Sequence, residues 1–146
     1  MTKAKSGRSE IMIKRPLNSR FTKAILNGLK FTTIRDKPWP VGKPIMIYNW
    51  SGAAYRSKQV DVAPIIVMGF WTILITHEKD GSMSYFYGMK NEKPLHETEG
   101  FNSREELDDW FRPLVKIGTT VGKTLMRFRL ANSKMSTPND ENLNQK

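Results

Sequence analysis

The chain of 146 residues contains no cysteine and only two histidines. The first absence rules out a disulfide framework and any zinc or iron–sulfur centre held by thiolates. The second leaves His77 and His96 without the spacing of an imidazole-bound metal, so neither a metal nor a cofactor is expected. Long apolar runs are missing too. The most apolar stretch, "APIIVMGFWTILI" from Ala63 to Ile75, is shorter than the roughly 20 residues a membrane helix needs. The opening "MTKAKSGRSEIMIKRP" lacks the continuous apolar core of a secretory signal, so a cytoplasmic chain with no membrane partner is expected. Acids are scarce at one end. Residues 1–60 carry thirteen Lys or Arg against Glu10 and Asp36, a balance of +11, whereas residues 61–146 carry eleven against twelve acids. Charge so unevenly placed favours a polyanion-facing surface, with nucleic acid the simplest partner. A basic leader that merely keeps the chain soluble accounts for Lys3, Lys5, Arg8, Lys14 and Arg15.

What is present fits one domain with polar ends. Residues 1–15 read as a basic, mobile leader, 16–131 as the folded domain, and 132–146, "NSKMSTPNDENLNQK", as a disordered tail. Asn18 or Ser19 caps a predicted helix with Phe21, Ala24 and Ile25 on its apolar face, and Gly28 is placed to end it. "KFTTIR" reads as a strand with Lys30, Thr32 and Ile34 on one face and Phe31, Thr33 and Arg35 on the other. "DKPWPVGK" is a loop, and Pro44 to Trp50 a second strand. Val60 to Thr76 is strand, with Pro64 and Gly69 expected to split it or to mark a bulge. Asp80-Gly81 is a hairpin turn, and "MSYFYGM" the returning strand. "NEKPLHETEG" reads as a polar loop. Ser103 and Glu106 then form a capping box for a helix that buries Leu107, Trp110 and Phe111 and stops at Pro113. Thr124 to Ala131 is the last strand. Short, mostly antiparallel strands with few helices predict an α+β fold, a small β-barrel of about five to seven strands with two short flanking helices.

Four groups able to hold or act on a polar ligand fall within six residues: Lys30, Thr32, Thr33 and Arg35. A lysine amine acts as base or nucleophile when burial or a nearby cation lowers its pKa, and a threonine hydroxyl needs an adjacent base. On an ideal strand Lys30 and Thr33 face opposite ways, so such a pair needs a bend after Gly28. The competing reading is a solvated strand edge. Arg35 either pairs locally with Asp36 or forks onto a phosphate or base. Trp39, Trp50 and Tyr55 are interleaved with Lys37, Lys43, Arg56 and Lys58, the mixture of stacking rings and cations that single-stranded nucleic acid uses; core packing competes for each ring. Glu97 and Glu99 are loop acids, either solvated or able to shuttle a proton.

The series "ILNGLKFTTIR", then Val41-Gly42-Lys43, then "EGFNSREELDDWF" and a final strand with Arg127 and Phe128, resembles the signature of ASCH domains, running from about Pro16 to Leu130. These are small β-barrels related to the PUA domains of RNA-modifying enzymes. The resemblance implies a PUA-like barrel with a cleft lined by Lys30, Thr33 and Arg35 that binds RNA or a nucleotide-like ligand. One branch of the family hydrolyses the acetyl amide of 4-acetylcytidine with a Lys, a Thr and a Glu. Carried over, these fall on Lys30, Thr33 and Glu99, with Glu97 the alternative carboxylate. A metal-independent hydrolase, whether an amidohydrolase or a ribonuclease, is thus the alternative to a binding module, and an adaptor using the basic leader a third. The chain departs from that branch in the insertion "NWSGAAYRSKQ" and in Thr32, where the hydrolase often has an apolar residue.

Overall fold

The computed structural model describes residues 12–90 and 93–131. Most of the basic leader and the tail expected from Asn132 lie outside the described residues. The fold is mixed α and β, with one six-stranded sheet and three short helices. In chain order the elements are β1 (Ile13–Pro16), α1 (Thr22–Leu26), β2 (Thr32–Arg35), β3 (Pro44–Trp50), β4 (Gln59–His77), β5 (Met83–Tyr87), α2 (Leu95–Thr98), α3 (Arg104–Phe111) and β6 (Thr119–Leu130). Single 3₁₀ turns, Ser19–Phe21 and Arg112–Leu114, precede α1 and follow α3.

Pairing runs β1-β3-β4-β6-β2, with β5 on β4. All partners are antiparallel except β1, which lies parallel to β3 with Ile13 opposite Ile45. The sheet therefore begins inside the stretch assigned from sequence to a leader. Local pattern could not show this, because "IKRP" becomes a strand only through the distant edge of β3. β4 is the spine. At about 3.3 Å per residue its 19 residues would extend roughly 60 Å, longer than a domain of this size is wide. It must bend, and its register with β6 shifts between Val67 and Gly69. Gly69 lets the Trp71 ring pack close, since an added Cβ would come 3.3 Å from it and require the ring to shift by a few tenths of an ångström. The expected break at Pro64 does not occur. Pro64 O still accepts from Ala131 N at 2.9 Å at the end of the β6 ladder, so only the return bond that a Pro N–H cannot give is missing and the strand runs on.

Among the described residues the hydrogen-bonded path does not close into a barrel, β1 and β2 being its two ends. The Arg35 side chain spans them, donating from Nη2 to Pro16 O at 3.0 Å. Ile45, Ile47, Ile65, Val67, Ile73, Ile75 and Leu125, all below 2 % exposed, form the centre of the core, with Phe21, Ile25, Leu107 and Phe111 packed over it from the helices. Two further expectations are corrected. The polar loop before the last helix contains α2, a single turn that buries Leu95 and Thr98. Trp110 is 37 % exposed rather than buried, since α3 points Leu107 and Phe111 at the core and leaves Trp110 at its margin.

Candidate functional site

The site is built at the joint between α1 and β2. Asn18 accepts from Arg20 N at 2.9 Å and starts the helical turns, and Gly28, at φ +76°, ends them in a left-handed conformation. The N–H groups of Leu29 and Lys30 both donate to Ala24 O, at 2.8 and 3.0 Å, so the chain is still wrapping around α1 when it reaches Lys30. Strand geometry begins only at Thr32. That bend removes the conflict posed by strict alternation: Lys30, Thr33, Arg35 and Glu99 all line one cleft of about 120 Å³.

Lys30 is 2 % exposed. Its stem lies against Gly100, where an added Cβ would come 3.0 Å from the Phe21 ring and 3.1 Å from Lys30 Cδ, at a φ of +93°. Nζ sits 4.6 Å from the Phe21 ring centroid. It donates to Thr32 O and to Glu99 O, both at 2.7 Å, and lies 3.7 Å from Glu99 Oε1. Burial lowers its pKa from the ordinary 10.5 to about 8; Glu99 pulls it back up, while Arg35 and Arg20 push it down. A neutral amine has two hydrogens and one lone pair. The two carbonyls take both hydrogens, which leaves the lone pair free.

Glu99 reaches this position as the residue that ends α2, where its N–H closes onto Leu95 O. It is 4 % exposed, whereas Glu97, one step earlier in the turn, faces solvent. Its Oε2 accepts from Thr32 Oγ1 at 2.5 Å, and Thr32 Oγ1 is also 3.0 Å from Thr98 Oγ1. Thr32 is therefore committed to holding the carboxylate. Thr33 Oγ1, by contrast, has no hydrogen-bond partner among the described residues, and Thr33 lines the cleft.

Arg35 does not pair with Asp36, which instead meets Lys123 across the β2–β6 pair. Its guanidinium stacks 5.2 Å from the Trp39 ring centroid. Among the described residues Arg35 Nε is buried without an acceptor. Desolvation lowers the Arg35 pKa, with Glu99 opposing.

The remaining expected ligand residues do not join the cleft. Trp39, expected as a stacking platform, is 8 % exposed and part of the core, its N–H donating to Met126 Sδ at 3.1 Å. Lys37, Lys43, Arg56 and Lys58 are exposed on loops. Tyr55 is 86 % exposed, at φ +65°, and tilts against Trp50 with 5.2 Å between centroids. Sequence reasoning missed the rings of Phe21, Phe101 and Trp110 as parts of the cleft, and Thr98 and Gly100 as the supports of Thr32 and Lys30 behind it. Gly100 carried a signal, a glycine between two residues of a recognisable motif, but its need for positive φ is visible only in three dimensions. Among the described residues no three His, Asp or Glu side chains converge to hold a metal. Comparison of the chain with protein-family models, with curated proteins and with solved structures gave no match.

Proposed function

We propose that the chain is a metal-independent amide hydrolase acting on a small planar head group, of which an N-acylated cytidine such as 4-acetylcytidine is the leading case. The observation that carries this is the Glu99 carboxylate buried 3.7 Å from the Lys30 amine. Burial of the pair brings the Lys30 pKa to about 8, and an amine that loses its proton near that pH is suited to act as a base. The cleft volume of about 120 Å³ supports a one-ring ligand, since a cavity of roughly 150 Å³ holds a benzene.

In this reading the neutral Lys30 amine takes the Thr33 hydroxyl proton as Thr33 Oγ1 attacks the amide carbonyl carbon. Arg35, which lines the cleft, donates to the carbonyl oxygen as it gains charge. The C–N bond then breaks, and Lys30, with Glu99 beside it, returns a proton to the departing exocyclic amine. Water cleaves the resulting threonyl ester and restores the hydroxyl. The same reading assigns the chain to the ASCH-like, PUA-like folds of the cytoplasm, with the bent β4 and the Arg35–Pro16 bond supporting a barrel whose last seam is closed by a side chain.

A second reading, binding of single-stranded RNA, is favoured by one observation. Tyr55 is held outward in a backbone conformation costly for a non-glycine residue, beside Arg56 and Lys58. Incubation with 4-acetylcytidine separates the two: cytidine release abolished in Lys30→Met and Thr33→Val supports the hydrolase. Absence of turnover together with salt-sensitive RNA binding that Tyr55→Ala weakens would replace it with the binder.

A further inference from the structure

Arg20 is absent from the reaction just described, yet it is the most elaborately held surface cation near the cleft. Its guanidinium lies 5.1, 5.0 and 5.8 Å from the ring centroids of Phe21, Phe101 and Trp110. All three rings line the cleft. They also pack on one another at 5.3 to 5.6 Å between centroids, so the platform under Arg20 is rigid. Phe21 and Phe101 are buried, whereas the lining residues Asn18 and Trp110 are exposed, and Arg20 stands exposed beside them on the outer side of the rings.

The guanidinium has donors to spare. Nη2 donates to Glu106 Oε1 at 3.2 Å, an oxygen that also accepts from Asn102 N at 2.8 Å. Among the described residues Nε and Nη1 have no acceptor. The Arg20 side chain remains 40 % exposed. A planar cation stacked on fixed rings with an unfilled donor edge is preorganised for a bidentate anion. The cleft itself admits about one ring, so the rest of a nucleoside-like ligand lies outside it, and Arg20 stands beside the exposed Trp110 edge of the opening.

We propose that Arg20 recognises a phosphate carried by the part of the ligand outside the cleft, so that the site takes a nucleoside monophosphate in preference to the bare nucleoside. The inference rests on the reading of the cleft as a nucleobase-sized site. Glu106 keeps its bond to Nη2 and, itself fixed by the Asn102 N–H, holds the guanidinium in place while the free donors meet the phosphate.

The test is calorimetric titration of the full chain with cytidine, cytidine 5′-monophosphate and ribose 5-phosphate, repeated on Arg20→Gln and Arg20→Lys. The monophosphate is expected to bind about tenfold more tightly than cytidine, the worth of one charge-assisted contact. Arg20→Gln is expected to erase that ratio while leaving cytidine affinity in place, which also reports that the variant is folded. Arg20→Lys is expected to keep part of it. Equal affinity for cytidine and its monophosphate overturns the inference and leaves the cleft reading intact, as does a preference that survives Arg20→Gln. Ribose 5-phosphate binding as tightly as the monophosphate overturns it as well, by placing recognition on charge without the base. No binding of any of the three removes the cleft reading and this inference with it.

Discussion

A lysine that keeps two carbonyls satisfied and sits beside a carboxylate has its protonation set by its surroundings, and the Lys30 site makes that testable. With a pKa of about 8, Lys30 gains its free lone pair as pH rises, so cytidine release from 4-acetylcytidine should climb through about pH 8 and level off above it. Glu99 is the largest influence holding that value up, so in Glu99→Gln the rising limb should move to lower pH even as the maximal rate falls. A limb that stays in place would remove Lys30 as the base. The adjacent threonines should separate cleanly. Thr33→Val removes a hydroxyl with no described partner, so stability should hold within about 1 kcal/mol while turnover is lost. Thr32→Val strips a buried hydrogen bond from the Glu99 carboxylate and should cost about 1–3 kcal/mol in urea denaturation. The opposite pattern, with Thr32→Val alone inactive and Thr33→Val alone unstable, would transfer the nucleophile's role to Thr32.

At the scale of elements, the cleft exists because α1, β2 and the end of α2 meet over a glycine. Gly100→Ala would place a methyl 3.0 Å from Phe21 and 3.1 Å from Lys30 at a φ of +93°. It should lower stability by about 1–2 kcal/mol from backbone strain alone, and displace Lys30 in addition. Gly81→Ala, in the β4–β5 turn at φ +92°, meets nothing within 4 Å and should carry the strain without loss of turnover. Denaturation midpoints paired with cytidine release distinguish the two; equal activity loss in both variants would show that Gly100 acts only through stability. These elements were unequally legible. The Asn18 cap, the Gly28 stop, the Asp80-Gly81 turn and the Ser103 cap, whose Oγ accepts from Glu106 N at 3.2 Å, are local chemistry and could be read directly. β1 could not, because its four residues acquire strand geometry only from β3. α2 is one turn, too short for periodicity to register. Of the site, "KFTTIR" named the right residues but alternation set Lys30 and Thr33 apart, because the wrap of Leu29 and Lys30 onto Ala24 O precedes the strand. Glu99 rather than Glu97 follows from which residue closes a turn that sequence had left as loop.

For the whole molecule, the Lys30 amine is a cost of folding that depends on pH. Its folded pKa of about 8 lies below the ordinary 10.5, so below pH 8 it is charged in both states and the folded protein carries the full penalty of burying that charge. Between about pH 8 and 10.5 the folded amine is neutral while the unfolded one still binds a proton. The unfolded state then holds more protons, and stability rises with pH, by a total of about 3.5 kcal/mol if the 2.5-unit difference is taken at about 1.4 kcal/mol per unit. Above 10.5 the gain is complete. Tyr85 works in the other direction. Burial and its bond to Asp108 raise its pKa, so the stability it contributes is lost once the unfolded phenol ionises near the top of this window. That contribution is common to the wild type and to Lys30→Met and cancels in their difference. Urea denaturation of both proteins at pH 7, 8, 9 and 10 should therefore show the wild type gaining on Lys30→Met as pH rises, most of it between 8 and 10. A constant difference would mean that Lys30 keeps an ordinary pKa in the fold. It would then stay charged through pH 8 and 9, with no neutral amine there to act as the base of the proposed mechanism.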